Sequence, residues 1–332
     1  MRPSPTRLHE GSIGGWRSVV LAGEWLEVVV LPERGAEIHA LRDRRTGVDV
    51  LFHAPWGLSP PGAPPRGGAD GHRFLERYAG GWQELFPSAG DPTTYDGADV
   101  PFHGEVALLP WDVESDGEGL RCRVRCERTP FELERRMRLE EDALVLAETV
   151  VNRGEAAAAF TWGHHCVVGP PFLEAGCRLD APVRTVTTIA ELWEDTARLA
   201  PGQRTPWPHG RLRTGGHVDL RDVPGPEAGA HDDVYLEGVA EGYVGVANPR
   251  LDLAFRLEFD PAVFRWLISW QAYGGAEALP LAGSYALGIE PWTTRLPLGE
   301  AAAAGEAQVL APGESFSTQL RARTGRAGAW PA

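Results

Sequence analysis

Short apolar runs of period two, separated by Gly, Pro and Asp-Gly turns, constrain this chain more than any other feature of its sequence. Residues 25–32 and 131–139 alternate in this way, and the turn Ser-Asp-Gly-Glu-Gly at 115–119 contains an Asp-Gly pair that favours a hairpin. Alternation of period two is typical of strands, and helical periodicity is scarce. The chain is therefore predicted to be all-β, with one large antiparallel fold.

Strands are predicted along most of the chain. They are expected at 25–32, 36–43, 48–53, 105–114, 120–127, 131–139, 143–151, 160–165, 234–239, 243–247, 253–259, 264–270, 285–290 and 315–323. Two Pro- and Gly-rich stretches, 55–72 and 201–233, interrupt them and are expected to be rim loops, lids or mobile segments. Because no linker or internal repeat separates the strands, a single domain over 1–332 is preferred to two, with an ordered core at about 15–324.

The acidic balance of the chain narrows its possible partners. Its 332 residues carry a formal charge of −14, with a pI near 5.2. Phosphate binding requires clustered basic residues, so nucleic acid and anionic membranes are disfavoured and a neutral small molecule is the expected partner.

The N-terminal residues lack the apolar core of a secretory signal, and a cytoplasmic location is expected. In that reducing compartment the four cysteines are expected to be free thiols.

Three short segments contain the residues best suited to chemistry. They are Pro-Phe-His-Gly-Glu-Val (101–106), Trp-Gly-His-His-Cys (162–166) and Leu-Gly-Ile-Glu-Pro-Trp (287–292). In the last segment, strand alternation places Glu290 on the same face as Ala286 and Gly288. Two small residues beside one carboxylate leave room for a ligand, although an exposed glutamate at a strand end gives the same pattern.

The adjacent histidines 164 and 165 must face opposite sides of a strand. His164 falls on the face of the bulky Phe160 and Trp162, whereas His165 falls on the face of Gly163. We therefore expect His164 to be packed against neighbours and His165 to face a ligand. The pattern alone fits a structural histidine at either position, so the choice between them stays open at this point.

His103 is the third candidate. Alternation places His103 with Glu105 on the less apolar face of its segment, although a solvated loop histidine gives the same pattern.

Several other chemistries are disfavoured. Adjacent strand residues cannot easily bind one metal ion, and no second group of zinc ligands has the required spacing. Cys166 points away from His165 and lacks a base there. Neither a metal nor a cofactor is expected.

Taken together, these segments resemble the aldose 1-epimerase (galactose mutarotase-like) family. The resemblance also rests on Leu-Pro-Glu-Arg-Gly-Ala-Glu-Ile-His-Ala-Leu-Arg-Asp-Arg-Arg-Thr-Gly (31–47) and Gly-Gly-Trp-Gln-Glu-Leu-Phe-Pro-Ser-Ala-Gly (80–90), and the ordered set spans residues 25 to 320. It implies a large antiparallel β-sandwich with a concave sheet that forms an open sugar cleft. It also implies a cofactor-independent isomerase that interconverts the anomers of an aldose.

The resemblance implies roles for the three titratable residues. Glu290 is similar in position to the general base, His165 to the general acid and His103 to a histidine that holds the sugar. Opening a pyranose ring removes a proton from the anomeric hydroxyl and delivers one to the ring oxygen, which a carboxylate and an imidazolium can do together. An ionised Glu290 would hold His165 protonated, whereas burial would oppose this.

Further sugar contacts are expected from residues near the motifs. Candidates are Gln83, Trp162, Gln271 and Arg34, with Trp82, Trp111, Trp270, Trp292 and Arg44 as additional possibilities. Arg135, on an otherwise apolar strand face, is expected either to have a buried partner or to line a cleft.

Three alternatives are kept beside the isomerase hypothesis. A mutarotase for phosphorylated hexoses would need a basic phosphate pocket, and the sequence shows no clear basic cluster. A non-catalytic sugar-binding or sensing protein could use the same fold. A lyase or hydrolase is also considered, and since hydrolysis normally uses two carboxylates, Glu105 is the second candidate carboxylate.

Overall fold

The computed structural model of the protein describes residues 6–64 and 73–329. Strands account for 48% of the structure and helices for 6%, which confirms the all-β prediction. The strands in chain order are Arg7–Ile13 (β1), Trp16–Ala22 (β2), Leu26–Leu31 (β3), Glu37–Asp43 (β4), Trp82–Leu85 (β5), Thr93–Tyr95 (β6), Ala98–Val100 (β7), Asp112–Ser115 (β8), Leu120–Arg125 (β9), Phe131–Glu140 (β10), Ala143–Asn152 (β11), Ala158–Phe160 (β12), Gly163–Val168 (β13), Arg178–Asp180 (β14), Thr185–Thr188 (β15), Arg204–Pro206 (β16), His209–Arg211 (β17), His217–Asp219 (β18), Ala230–Glu237 (β19), Tyr243–Asn248 (β20), Leu253–Phe259 (β21), Trp266–Tyr273 (β22), Tyr285–Gly288 (β23), Glu290–Trp292 (β24), Gln308–Leu310 (β25) and Ser315–Gly325 (β26). The helices are Arg73–Arg77 (α1) and Leu298–Ala304 (α2), with 3₁₀ turns at Val106–Leu108 and Pro226–Ala228.

Two antiparallel sheets contain most of these strands. The larger has twelve strands in the order β1-β2-β3-β4-β5-β13-β23-β22-β19-β15-β16, and β24 completes it by pairing with β13 and β22. The smaller has eight, in the order β14-β20-β21-β26-β11-β10-β9-β8. Apolar residues from both sheets, such as Val28 and Ile38 of the larger and Leu133 and Leu146 of the smaller, form one continuous core. The fold is the β-sandwich that the resemblance implied.

The larger sheet also buries residues on its opposite face. Strand alternation sends Val167, Ile268 and Trp270 to this side, where they belong to one apolar cluster with Phe74 of α1 and Phe102. Because both faces of the sheet are covered, β22 is buried at nearly every position. This outer face carries the candidate site.

Arg135 lies inside the sandwich, on the inner face of β10. Its guanidinium donates to the carboxylate of Glu84 and, at 2.8 Å, to Oε1 of Glu148. His164 Nε2 lies 3.2 Å from Glu148 Oε2, and none of these four side chains is more than 1% exposed. The expectation of a buried partner for Arg135 is therefore confirmed, and the network joins the two sheets directly beneath the candidate site.

Some predicted strands were wrong because the chain bends or pairs too briefly. The segment 105–114 begins with a 3₁₀ turn, and extended pairing starts only at Asp112. The segment 48–53 makes isolated bridges instead of a strand. The segment 160–165 is interrupted, because β12 ends at Phe160 in a separate two-stranded sheet and β13 begins at Gly163.

The two stretches expected to be loops have different outcomes. The segment 201–233 contains three short strands, β16, β17 and β18, and the beginning of β19. Residues 55–64 contain no named strand or helix, and 65–72 lie outside the described residues. The single-domain organisation stays a prediction.

Two expectations drawn from composition can be compared with the fold. All four cysteines are buried and unpaired, so the free-thiol prediction is confirmed. Within residues 6–64 and 73–329, no helix has the length and apolar character needed to cross a membrane.

Candidate functional site

A pocket of about 360 Å³ opens on the outer face of the larger sheet, near the centre of its strand order. Residues on β13, β19, β22 and β24 form its floor, and residues following α1 form part of its wall. Its volume lies at the lower end of the range of about 300–1,000 Å³ that is typical of small-molecule sites. His103, His165 and Glu290 all line it, so the structure brings the three titratable candidates together.

The two adjacent histidines of β13 point in opposite directions, as strand alternation predicts. His164 lies in the sandwich interior, where Trp82 Nε1 donates to its Nδ1 at 3.2 Å. His165 points to the pocket, where its Nε2 lies 3.8 Å from Glu290 Oε1. Since His164 is fully buried in the ion network, His165 is the histidine of this pair that a ligand in the pocket can reach.

Glu290 reaches the pocket because Gly288 has no side chain. A Cβ at position 288 would collide with Glu290 Oε1 and would lie 3.0 Å from Cβ of Trp270. The backbone N–H of Ile289 donates to the carbonyl of Cys166 at 2.9 Å, which holds the junction of β23 and β24 against β13. The small residue at 288 therefore makes room for the carboxylate itself as well as for a ligand.

Burial drives both members of the His165–Glu290 pair toward their neutral forms. Burial lowers the pKa of His165 to about 3. Burial and the nearby Asp233 carboxylate raise the pKa of Glu290 well above its ordinary value. Burial likewise raises the pKa of Asp233 to about 7. Of the two opposing effects expected from the sequence, burial dominates, and the uncharged form of both groups, with the proton on Glu290, is favoured.

His103 is held in an uncommon backbone conformation. Its φ of 63° lies in the left-handed region, where histidine is several-fold enriched among residues other than glycine. Its Nδ1 lies 2.5 Å from the carbonyl oxygen of Ala89, and its ring centroid lies 5.5 Å from that of His165. The edge of the Phe74 ring contacts the His103 ring at 4.7 Å between centroids, so the imidazole is fixed on three sides.

Glu105 does not share the pocket with His103, which corrects the expectation from alternation. Its carboxylate accepts hydrogen bonds from the backbone N–H groups of Glu127 and Arg128 at 2.7 and 3.0 Å, and from the hydroxyl of Thr129 at 2.9 Å. The chain turns at His103 and Gly104, so period-two alternation does not apply there. Glu105 therefore anchors a loop and is not a second carboxylate for hydrolysis.

Two predicted sugar contacts, Trp162 and Gln271, point away from the pocket. Trp162 is fully buried in the sandwich core, and its indole N–H donates to the Glu84 carboxylate. Gln271 accepts a hydrogen bond from Arg198 at 2.8 Å, on the face opposite to its neighbour Trp270. Neither side chain lines the pocket.

Gln83 and Arg34 do not line the pocket, and Arg34 lines a separate cavity. Gln83 pairs with His165 across β5 and β13, yet its amide donates to the carbonyl of Gly80 at 2.6 Å and to Glu37 at 3.3 Å. Arg34 also donates to Glu37, at 3.2 Å, so both side chains are committed to one polar cluster. Of the predicted aromatic contacts, Trp270 and Trp292 do line the pocket.

Several pocket residues had not been identified from the sequence. His231, Asp233 and Tyr235 alternate along β19 and line the pocket together. His231 and Asp233 fall in the stretch 201–233 that is expected to be a loop, and Tyr235 falls in the strand expected at 234–239. Tyr78, which follows α1, also lines the pocket, with its ring centroid 5.1 Å from that of His165.

One cluster of side chains among the described residues is close enough to consider as a metal site. Its ligand atoms, from Glu84, Glu148 and His164, all lie within 4.8 Å of one another. Arg135 already donates to both carboxylates. Burial and the Glu148 charge raise the pKa of Glu84 to about 7. Burial opposes the ionisation of Glu148, but His164 and Arg135 lower its pKa to about 2. This donor set fits an internal ion network rather than a metal centre.

One family model and several solved structures are similar to this chain. A family model described as a domain of unknown function (DUF4432) matches residues 15–323. No curated protein matches the chain. Three solved structures share the fold at low sequence identity. They are a candidate aldose 1-epimerase from Klebsiella pneumoniae (18% identity, TM-score 0.71, covering 95% of this chain and 81% of that one), a galactose mutarotase related enzyme from Lactobacillus acidophilus (16%, 0.65, 95% and 99%) and a galactose mutarotase-like protein from Clostridium acetobutylicum (15%, 0.64, 97% and 99%).

Proposed function

The chain belongs to the DUF4432 family, and we propose that it is an aldose 1-epimerase-like isomerase that interconverts the α and β anomers of an aldose. The observation that carries the proposal is the approach of His165 Nε2 to Glu290 Oε1, 3.8 Å apart at the floor of a pocket. The galactose mutarotase names of structures with the same fold support a sugar as the ligand.

The spacing of the pair suits the two oxygen atoms bonded to the anomeric carbon. A separation of 3.8 Å is too long for a direct hydrogen bond between the two side chains. The ring oxygen can therefore contact the imidazole of His165 while the anomeric hydroxyl contacts the carboxyl group of Glu290.

The pair needs only one proton to perform the reaction. For ring opening, His165 carries the proton and delivers it to the ring oxygen, while Glu290 accepts the proton of the anomeric hydroxyl. After rotation about the adjacent carbon–carbon bond, both transfers reverse and the other anomer closes. The resting form, with the proton on Glu290, matches the open-chain sugar, in which Glu290 donates to the aldehyde oxygen and His165 accepts from the hydroxyl. Each positioned acid or base contributes typically about 10²–10⁴-fold to the rate.

His103 is proposed to bind the sugar next to the acid–base pair. Its left-handed backbone and its bond to the Ala89 carbonyl hold the ring in place before a ligand arrives. Asp233 provides an oxygen acceptor on the same floor, and Trp270 provides an apolar ring face suited to the C–H groups of a sugar.

The side chains that line the pocket favour an uncharged aldose over a phosphorylated one. A dianionic phosphate needs cationic or hydrogen-bond-donating partners, whereas the carboxyl groups of Asp91, Asp233 and Glu290 line this pocket. Among the described lining residues, Arg295 is the one arginine, and its guanidinium already lies over the rings of Tyr235 and Trp266, 5.9 and 5.7 Å from their centroids.

Polarimetry on freshly dissolved sugars tests the proposal. The rate of optical rotation change for α-glucose, α-galactose and other aldoses should rise in proportion to protein concentration above the spontaneous rate. Anomer exchange of a hexose phosphate should be accelerated less than that of the uncharged aldoses. A folded protein that binds sugars without accelerating the exchange of any of them would be a sugar-binding protein, and the isomerase proposal would be wrong.

A further inference from the structure

The mouth of the pocket exposes two large apolar side chains. Trp193 is 61% exposed and Leu279 is 65% exposed, and both line the pocket. The other large hydrophobic residues found exposed in the described part of the chain are Trp25 and Val309, which do not line it. Exposed apolar groups that gather at one opening often mark a binding surface.

The two segments that present these side chains are joined into one wall. We call the segments 193–196 and 275–281 together the rim wall. The Glu194 carboxylate accepts hydrogen bonds from the backbone N–H groups of Glu277 and Ala278 at 3.0 and 2.6 Å. The hydroxyl of Thr196 donates to the carbonyl of Gly275 at 2.7 Å. Three hydrogen bonds therefore hold the two segments against each other.

The rim wall is also connected to the floor of the pocket. The indole N–H of Trp270 can only donate, so it donates to Nε2 of His231 at 2.7 Å. Nδ1 of His231 then carries a hydrogen and donates to Glu194 at 2.5 Å. Burial opposes the ionisation of Glu194, but His231 and the two backbone N–H groups lower its pKa, so it holds the wall as a carboxylate.

These contacts leave two apolar side chains of the wall exposed. The polar atoms of Glu194 are committed to the wall itself, whereas Trp193 and Leu279 contribute exposed apolar surface beside the opening, next to the exposed side chains of Asp195 and Glu277. An indole of this kind is suited to stacking against an apolar ring face.

We propose that the rim wall is a second sugar subsite, and that the substrates of the enzyme are reducing disaccharides or longer oligosaccharides. This rests on the proposed function, which places the anomeric carbon of the first sugar at His165 and Glu290. Because the anomeric hydroxyl of that sugar must be free, any extension toward the mouth leaves from another carbon. A second pyranose linked there presents its C–H face to Trp193.

Anomer exchange measured by NMR at the reducing end tests the subsite. The probes are glucose and the reducing disaccharides maltose, cellobiose and lactose, with wild type, Trp193→Ala, Leu279→Ala and the control Trp25→Ala. Wild type should show a higher kcat/KM for at least one disaccharide than for glucose. Loss of one aromatic contact should lower that value by about three- to tenfold in Trp193→Ala, and by clearly less for glucose. Trp25→Ala, which removes an exposed tryptophan away from the pocket, should match wild type.

The outcomes separate this proposal from the proposed function. A preference for glucose over every disaccharide, or an equal loss on glucose and disaccharides in Trp193→Ala, would overturn the subsite while leaving an isomerase. Exchange of no sugar would overturn the isomerase. In that case saturation transfer from the protein to both rings of a bound disaccharide, lost from the non-reducing ring in Trp193→Ala, would support the subsite, and transfer to one ring or to none would reject it.

Discussion

His165 Nε2 and Glu290 Oε1 face each other across 3.8 Å, and burial favours the uncharged form of both groups. The two side chains come from neighbouring strands of the larger sheet, β13 and β24, and the absence of a side chain at Gly288 gives the carboxyl group its place. The sheet thus positions an imidazole and a carboxyl group next to each other at the floor of a small pocket.

The lowered pKa of His165 predicts a loss of stability in mild acid. Its pKa is about 3 in the folded state and about 6.5 in an unfolded chain, so the unfolded state binds more protons throughout this window. The contribution of His165 to the free energy of unfolding should therefore fall as pH decreases from 6.5 toward 3, by up to about 1.4 kcal/mol per pH unit. Urea unfolding of wild type and His165→Gln between pH 4.5 and 7 measures this effect.

A control separates His165 from other acid-sensitive groups. Relative to His165→Gln, wild type should lose free energy of unfolding as pH decreases, whereas His9→Gln, which changes an exposed histidine, should keep the wild-type slope. Glu290 acts in the opposite direction. Its raised pKa means that stability is lost as pH rises through the folded value, so it cannot produce the acid loss. Equal slopes in wild type and His165→Gln would show that His165 is not held neutral.

Gly288→Ala should impair catalysis without unfolding the protein. A Cβ at this position collides with Glu290 Oε1, the movable end of a side chain, so the carboxyl group must shift away from His165. We expect kcat to fall at least about tenfold, because misplacement of a reacting group by about 1 Å can cost about 10²-fold. Gly328→Ala, where no atom lies within 4 Å of the added Cβ, is the control. Mutarotation at the wild-type rate in Gly288→Ala would show that the position of the Glu290 carboxyl group is not critical.

Two substitutions separate the effect of the His103 backbone conformation from the effect of its imidazole. His103→Asn retains a residue that tolerates a positive φ, so its stability should stay near that of wild type while KM for the sugar rises. His103→Val places a β-branched residue at φ 63° and should lose about 1–3 kcal/mol of stability in addition. Urea unfolding and mutarotation kinetics measure the two effects. An unchanged KM in His103→Asn would remove His103 from the substrate site.

Arg135→Met tests the ion network between the sheets. Removing the guanidinium leaves the carboxylates of Glu84 and Glu148 buried without their common partner, which should destabilise the protein by about 3–5 kcal/mol. Arg136→Met, which changes the partly exposed neighbour on the same strand, should cost less than about 1 kcal/mol. Similar losses of unfolding free energy in the two variants would show that the network contributes little.

Regular strands are the places where the sequence predicted the directions of side chains correctly. Alternation placed His164 and His165 on opposite faces of β13, and placed Glu290 on the side of Gly288, because the chain is extended at both positions. The prediction failed at His103 and Glu105, where a left-handed residue and a 3₁₀ turn replace the strand.

The remaining differences come from tertiary contacts that no local pattern encodes. Both faces of β22 are buried, so hydrophobic alternation could not show that Trp270 faces the pocket while Gln271 faces Arg198. The rim wall is held by hydrogen bonds between residues about 80 positions apart, such as Glu194 and Ala278. Such contacts depend on the arrangement of the sheet, so no local sequence pattern indicates them.

Two-dimensional exchange NMR on a ¹³C-labelled aldose at anomeric equilibrium tests the central claim most directly. Wild type should produce exchange cross-peaks between the α and β anomeric signals at mixing times where the sugar alone shows none. Glu290→Gln and His165→Gln, at equal concentration and with native circular dichroism, should lose them while still binding the sugar. Cross-peaks of wild-type intensity in either variant would contradict the assignment of His165 and Glu290 as the acid–base pair.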